Sequence, residues 1–209
     1  MPLFYKEKKD NYSLIIWKVD EYLSFFLDKL DLYNEEVEEI SGYSPHRLLE
    51  WASTRFLIYL LENKNARSCI VKDENGKPEL LNSNKYISVS HSNDYAAAII
   101  SDKQIGLDIQ KISAKAEIVK NKFLSKTELK YCINLIDFNC FWTVKEAVYK
   151  AYGKKNLIFK DNIAILNYDK INKTNFKSRV LLNKNDLSLY YSINGKIFDD
   201  FVMSIAVLN

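Results

Sequence analysis

The chain has 209 residues, of which 47% are hydrophobic and 13% aromatic, with 30 basic against 27 acidic side chains. That length suits one large domain or two small ones, and that apolar content builds a core, which excludes wholesale disorder. No apolar run reaches the ~20 residues of a membrane-spanning helix, and a net charge of +3 falls short of a dedicated nucleic-acid binder.

The opening MPLFYKEKKDNYS lacks the apolar core of a secretion signal, so the cytoplasm is the expected compartment. SLIIWKV (13–19) predicts a strand, and residues 21–30 a helical stretch. Ser44-Pro45 is a helix start, with Ser as cap and Pro at the first helical position. The helix should run to about Glu62, its apolar residues Leu48, Leu49, Ala52, Phe56, Tyr59 and Leu60 recurring at three-to-four spacing. A turn follows at Asn75-Gly76-Lys77-Pro78. YISVS and DYAAAIIS read as two strands hinged at 91–93, and 105–109 as a third. A helical region is expected from about 117 to 135, and an orderly helix, FWTVKEAVYKAYG, is closed by Gly153. The rest is strand-rich: 162–167, 179–182, LSLYYSI and FVMSIAVL, the last two forming a hairpin with a type I′ turn at Asn194-Gly195.

DYAAAII is weakly echoed by DFVMSIAV, each preceded upstream by a Trp-bearing helix (Trp51 and Trp142). Either the chain is an internal duplication, or two aromatic-rich strands are alike by chance. A duplication would make two α+β lobes with an active site at their seam.

Several chemistries are excluded. Cys69, Cys132 and Cys140 are too few and scattered for a disulfide framework or a zinc cage. His46 and His91 are the only histidines, and five dispersed glycines cannot form a Walker loop or a dinucleotide fingerprint. Phosphate binding must then use side chains and helix ends.

Strand alternation in Gly106-Leu107-Asp108-Ile109-Gln110 sets Gly106, Asp108 and Gln110 on one face. Asp108 and Gln110 there could offer adjacent oxygens to a hard cation, or Asp108 could simply meet solvent at a strand end. On the helix, Trp142, Glu146 and Lys150 follow at i, i+4 and i+8 with Lys145 beside them. The face carries either functional groups or a Glu–Lys pair decorating the surface. Ser90 and His91 could hold a phosphate oxygen, while the absence of a Gly-x-Ser-x-Gly elbow argues against a hydrolase triad. Arg47, Arg55 and Lys77 jointly supply a cationic grip for a polyphosphate.

In this order and spacing, GLDIQ (106–110) and FWTVKEAVYK (141–150) resemble the paired signatures of the 4′-phosphopantetheinyl transferase superfamily, in particular its two-lobed, Sfp-like branch. NGKPEL (75–80), ISVSHS (87–92) and EWASTR (50–55) support the resemblance. It implies an α+β fold of two similar lobes, 1–104 and 105–209, related by a pseudo-two-fold axis with the active site at the seam, in a monomer. It implies transfer of phosphopantetheine from coenzyme A to a serine of an apo acyl or peptidyl carrier protein, with no nucleic-acid or membrane partner. By the match, Asp108 and Glu146 would hold Mg²⁺, with Gln110 at the position of a third ligand. Glu146 would take the serine proton, Lys150 would stabilise the departing 3′,5′-ADP, and Lys145 would contact the phosphates. Ser90, His91, Arg47, Arg55 and Lys77 would line the coenzyme A pocket. The family signature usually ends in Glu where this chain has Gln110. Three readings follow: a weaker working metal site, a water in that position, or a chain that binds coenzyme A without turnover. A non-catalytic coenzyme A or carrier-protein binding module is the alternative class. The carrier is expected to dock on 123–135, through Lys120, Lys122, Lys126 and Lys130, with Phe123 and Leu124 as apolar contacts.

Overall fold

The computed structural model describes residues 2–209. The chain divides into two compact units, one ending at Lys103 and the other running from Gln104 to Asn209. Each combines helices with antiparallel sheet, so the fold is α+β. No helix among the described residues is long and apolar enough to cross a membrane.

The N-terminal unit opens with a hairpin of β1 (Leu3–Lys9), absent from the sequence reading, and β2 (Tyr12–Lys18), which carries the expected SLIIWK run. Short helices α1 (Leu23–Leu27) and α2 (Asn34–Ile40) lead into the long helix α3 (Pro45–Glu62). The Ser44 hydroxyl accepts from the Arg47 N–H at 3.4 Å, and Pro45 occupies the first turn, where a missing N–H loses no helical bond. Asn63, left-handed at φ 50°, ends the helix. Trp51 through Ile58 are buried without a break, whereas Leu60, on the expected apolar stripe, is 39% exposed. The strands β3 (Ile70–Lys72) and β4 (Pro78–Leu80) flank the expected turn, where Gly76 takes φ 90°. The hairpin of β5 (Tyr86–Ser92) and β6 (Tyr95–Ser101) then bends through Asn93 at φ 51°. The sheet runs β1-β2-β6-β5. Trp51, Ala52, Phe56 and Ile58 of α3 share one core with Ile15, Ile87, Ala96 and Ala98 of the sheet.

The C-terminal unit begins with β7 (Ile105–Lys111). The continuous helix expected over 117–135 is broken instead into α4 (Lys115–Ile118), α5 (Lys120–Phe123) and a 3₁₀ turn at Glu128–Tyr131. The cause is tertiary. Phe123 and Leu124 are drawn into the core, and the Glu128 carboxylate accepts from Ser125 N–H at 2.7 Å and from Ile165 N–H at 2.9 Å. Helix α6 (Leu135–Tyr152) starts earlier than 141, where the Asn134 side chain accepts from Asp137 N–H at 3.1 Å. It stops, as expected, at left-handed Gly153, φ 75°. Helix α7 (Phe159–Asn162) leads to β8 (Ile163–Lys170), β9 (Asn175–Lys184), β10 (Leu187–Ile197) and β11 (Phe201–Leu208). The sheet order is β7-β11-β10-β9-β8. Phe141, Val144, Ala147 and Val148 of α6 share a core with Val180, Tyr191, Ile193 and Ala206.

Asn194-Gly195 is not the expected turn. Both residues lie inside β10, opposite Ile205 and Ser204 on β11 and Lys177 and Phe176 on β9. The chain turns instead at 198–200, where Phe198 N–H donates to Phe201 O at 2.9 Å. Gly195 provides space rather than a bend: a Cβ there would lie 1.9–2.2 Å from three atoms of the buried Phe176 ring. Gly195→Ala should destabilise the unit by about 1–3 kcal/mol through overpacking. The expected reading is a lower urea midpoint at unchanged m; an unmoved midpoint would show that the Phe176 ring yields freely.

Candidate active site

Strand β7 touches helix α6 at Gly106. A Cβ there would come within 2.0 Å of the Ala147 carbonyl oxygen and 2.4 Å of the Ala151 nitrogen, so no side chain fits between the two backbones. Alternation puts Asp108 and Gln110 on the Gly106 side of the strand, while Trp142, Glu146 and Lys150 climb one face of the helix. The two rows meet. Lys150 Nζ donates to Asp108 Oδ1 at 2.8 Å, and Asp108 is only 6% exposed. The Glu146 carboxyl is pushed up to about 7, first by burial and then by the Asp108 charge, with Lys150 opposing. Gln110 and Trp142 line a cleft of about 60 Å³ together with Ser113, Lys115 and Asn139.

A carboxyl poised near neutrality can accept a proton at physiological pH. The Asp108 charge that raises the Glu146 carboxyl is also one a divalent cation would relieve, and hard oxygen ligands suit Mg²⁺. Among the described residues no group of three or more His, Cys, Asp or Glu side chains forms a metal cage. The donors that fit a cation are therefore two carboxylates, with the Gln110 amide as the further oxygen on that strand face.

Lys145, expected at the phosphates, lies elsewhere. It is fully buried, and its Nζ donates to the carbonyls of Phe123 (2.7 Å), Phe159 (3.1 Å) and Ile163 (2.7 Å) and to Glu128 Oε2 (2.9 Å). Burial lowers its pKa, with the Glu128 charge opposing. An ammonium with four protein acceptors and no solvent exposure has no room for a phosphate. Lys145, with Glu128, a residue the sequence reading missed, instead ties the 123–128 segment to α7 and β8.

In the N-terminal unit, Arg47 is exposed and stacks over the Tyr43 ring at 4.1 Å. Arg55, expected as a phosphate contact, is only 7% exposed; it donates to Glu39 at 2.9 Å and lies 3.9 Å over the Trp51 ring. Burial lowers its pKa against the pull of Glu39 and Glu36. The same cluster pairs Arg67 with Glu36, and Lys72 with Glu39 at 2.5 Å. The cluster thereby ties α2, α3 and β3 together, and Arg55 within it is not open to a ligand. Lys77 is half-buried beside a cleft of about 380 Å³ also lined by Glu79, Ser83 and Tyr86. Ser90 is buried, while His91 is half-exposed and sets its Nδ1 2.8 Å from Glu50 Oε1. Glu50 opens the EWASTR segment but was given no role by the sequence; His46 stands one helical turn before it.

Residues 104–206 match the family model of the 4′-phosphopantetheinyl transferase superfamily. The matched residues make up nearly all of the C-terminal unit, the one that holds Asp108, Glu146 and Lys150. The chain is also similar to the 4′-phosphopantetheinyl transferase gsp of Aneurinibacillus migulanus, 28% identical over 106 residues that make up 48% of this chain and 44% of the relative. The alignment therefore spans less than half the length of the curated relative.

Proposed function

We propose that the chain transfers the 4′-phosphopantetheine group of coenzyme A to a serine hydroxyl of an apo acyl or peptidyl carrier protein, releasing 3′,5′-ADP. The observation that carries this reading is the Glu146 carboxyl, held near neutrality beside Asp108 and one helical turn from Lys150. Glu146 takes the serine proton, directly or through a water, as the oxygen forms its bond to phosphorus and the bond to 3′,5′-ADP breaks. Lys150 stabilises charge on the departing group. Asp108, Glu146 and Gln110 would hold Mg²⁺, which supplies neutralisation of the pyrophosphate charge. Arg47, Lys77, Ser90 and His91 act as coenzyme A contacts. In this reading the protein works as a cytoplasmic monomer, without nucleic acid or membrane. The carrier docks on 123–135 and its neighbours, where Lys122, Lys126 and Lys130 are exposed. Because Phe123 and Leu124 are buried, the apolar contact there falls to Ile133, which is 85% exposed.

The test is incubation with coenzyme A, Mg²⁺ and a panel of apo carrier proteins, read by mass spectrometry. A gain of one phosphopantetheine on a carrier supports the reading. Coenzyme A binding without any gain across the panel would make the chain a binding module.

Gln110 gives a second, quantitative check. Cation affinity rises with the charge of the oxygen ligands, and an amide contributes none. Gln110→Glu should reach half-maximal rate at a several-fold lower Mg²⁺ concentration than the natural chain. Equal midpoints, or a higher one for the variant, would remove Gln110 from the ligand set.

A further inference from the structure

We propose that Glu50 is a positioning residue, whose carboxylate holds the His91 imidazole by Nδ1 so that Nε2 is directed to a phosphate oxygen of coenzyme A. The inference rests on the reading of His91 as a coenzyme A contact. His46 and His91 are the only imidazoles of the chain, and each sets its Nδ1 toward the same atom, Glu50 Oε1, at 3.6 Å and 2.8 Å respectively. Only the second is a hydrogen-bond distance. The His46 side chain is 79% exposed against 50% for His91, so Glu50 constrains one ring and merely neighbours the other.

The backbone of His91 is already fixed. It pairs with Ala96 across the β5–β6 hairpin, between the buried Ser90 and Ser92. Where its ring nitrogens lie is then set by the side-chain rotamer, and the Glu50 contact fixes the place of Nδ1. Ordering such a ring only when ligand arrives weakens binding; ordering it beforehand removes that loss. The choice of anchor also sets the chemistry. A doubly protonated ring that donates Nδ1–H to a carboxylate presents its Nε2–H on the side away from that carboxylate. Nε2–H is then a charge-assisted donor for a phosphate oxygen. Glu50, supplied by α3, thereby serves a residue on β5 that lies far from it in sequence.

The test uses the full chain and the two imidazoles as separate nitrogen NMR signals, with kinetics beside them. In Glu50→Ala at neutral pH the His91 Nδ1 proton signal should be lost or shifted, and KM for coenzyme A should rise roughly three- to tenfold at nearly unchanged kcat. Glu50→Gln keeps an oxygen acceptor without the charge and should restore the Nδ1 signal with only part of the KM. An Ala variant whose His91 signal is unmoved, or whose KM matches the natural chain while the signal moves, overturns the inference. If the natural chain itself turns over no coenzyme A, the functional reading has failed, and the NMR arm still decides whether Glu50 orients His91.

Discussion

Lys145→Ala is expected to unfold much of the C-terminal unit under conditions where the natural chain is stable. The substitution leaves the Glu128 carboxylate buried without its cation and removes the donor shared by three backbone carbonyls. Breaking a buried ion pair from one side costs about 3–5 kcal/mol, a large part of the roughly 5–15 kcal/mol that holds a domain folded. Pairing the change with Glu128→Gln should recover part of the loss, because the second substitution removes the stranded charge. Urea titrations followed by circular dichroism measure both. A single variant within about 1 kcal/mol of the natural chain would return Lys145 to the pool of ligand-binding groups.

That lysine also marks where sequence reading ends. In the 141–150 motif Lys145 and Lys150 carry equal charge, and assigning both to the phosphates overlooks that they stand about 140° apart around the helix. Burial separates them, with Lys150 meeting Asp108 and Lys145 sealed inside. The α3 start, the Gly153 stop and the β7 alternation were legible because each depends on residues within one turn or one strand. Gly195 and the 117–135 segment were not. The first answers to the Phe176 ring, and the second to Glu128 and buried Phe123, contacts made between residues distant in the chain. Arg55 followed the same course, since an arginine on an amphipathic helix reveals nothing of Glu39 waiting across the core. The meeting of Asp108 with the Glu146–Lys150 face was legible for the opposite reason. Gly106 sets strand and helix in backbone contact at Ala147 and Ala151, and from there Asp108, further along the strand, meets Lys150, the residue before Ala151.

Glu146→Gln should abolish transfer while leaving coenzyme A binding largely in place. A positioned base contributes about 10²–10⁴-fold, and an amide cannot take the serine proton, whereas the phosphate contacts assigned to Arg47, Lys77, His91 and Lys150 are untouched. The same change should stabilise the metal-free protein above neutral pH. Burial, and then the Asp108 charge, raise the Glu146 carboxyl from 4.5 to about 7, so between those values the folded chain binds more protons than the unfolded one. Its stability is fully present below pH 4.5 and falls as pH rises through 7, where the folded state must carry the unfavourable charge. Gln never carries it. At pH 8 the variant should therefore exceed the metal-free natural chain by on the order of 1–3 kcal/mol, after discounting for solvent screening, and the gap should close toward pH 4.5. Added Mg²⁺ should stabilise the natural chain more than the variant, because it binds where the two carboxylates repel. Chemical denaturation at both pH values, with and without Mg²⁺, measures all of this alongside the transfer assay. Normal turnover by the variant would place the base elsewhere, and a variant no more stable than the natural chain at pH 8 would show that Glu146 is not strained against Asp108.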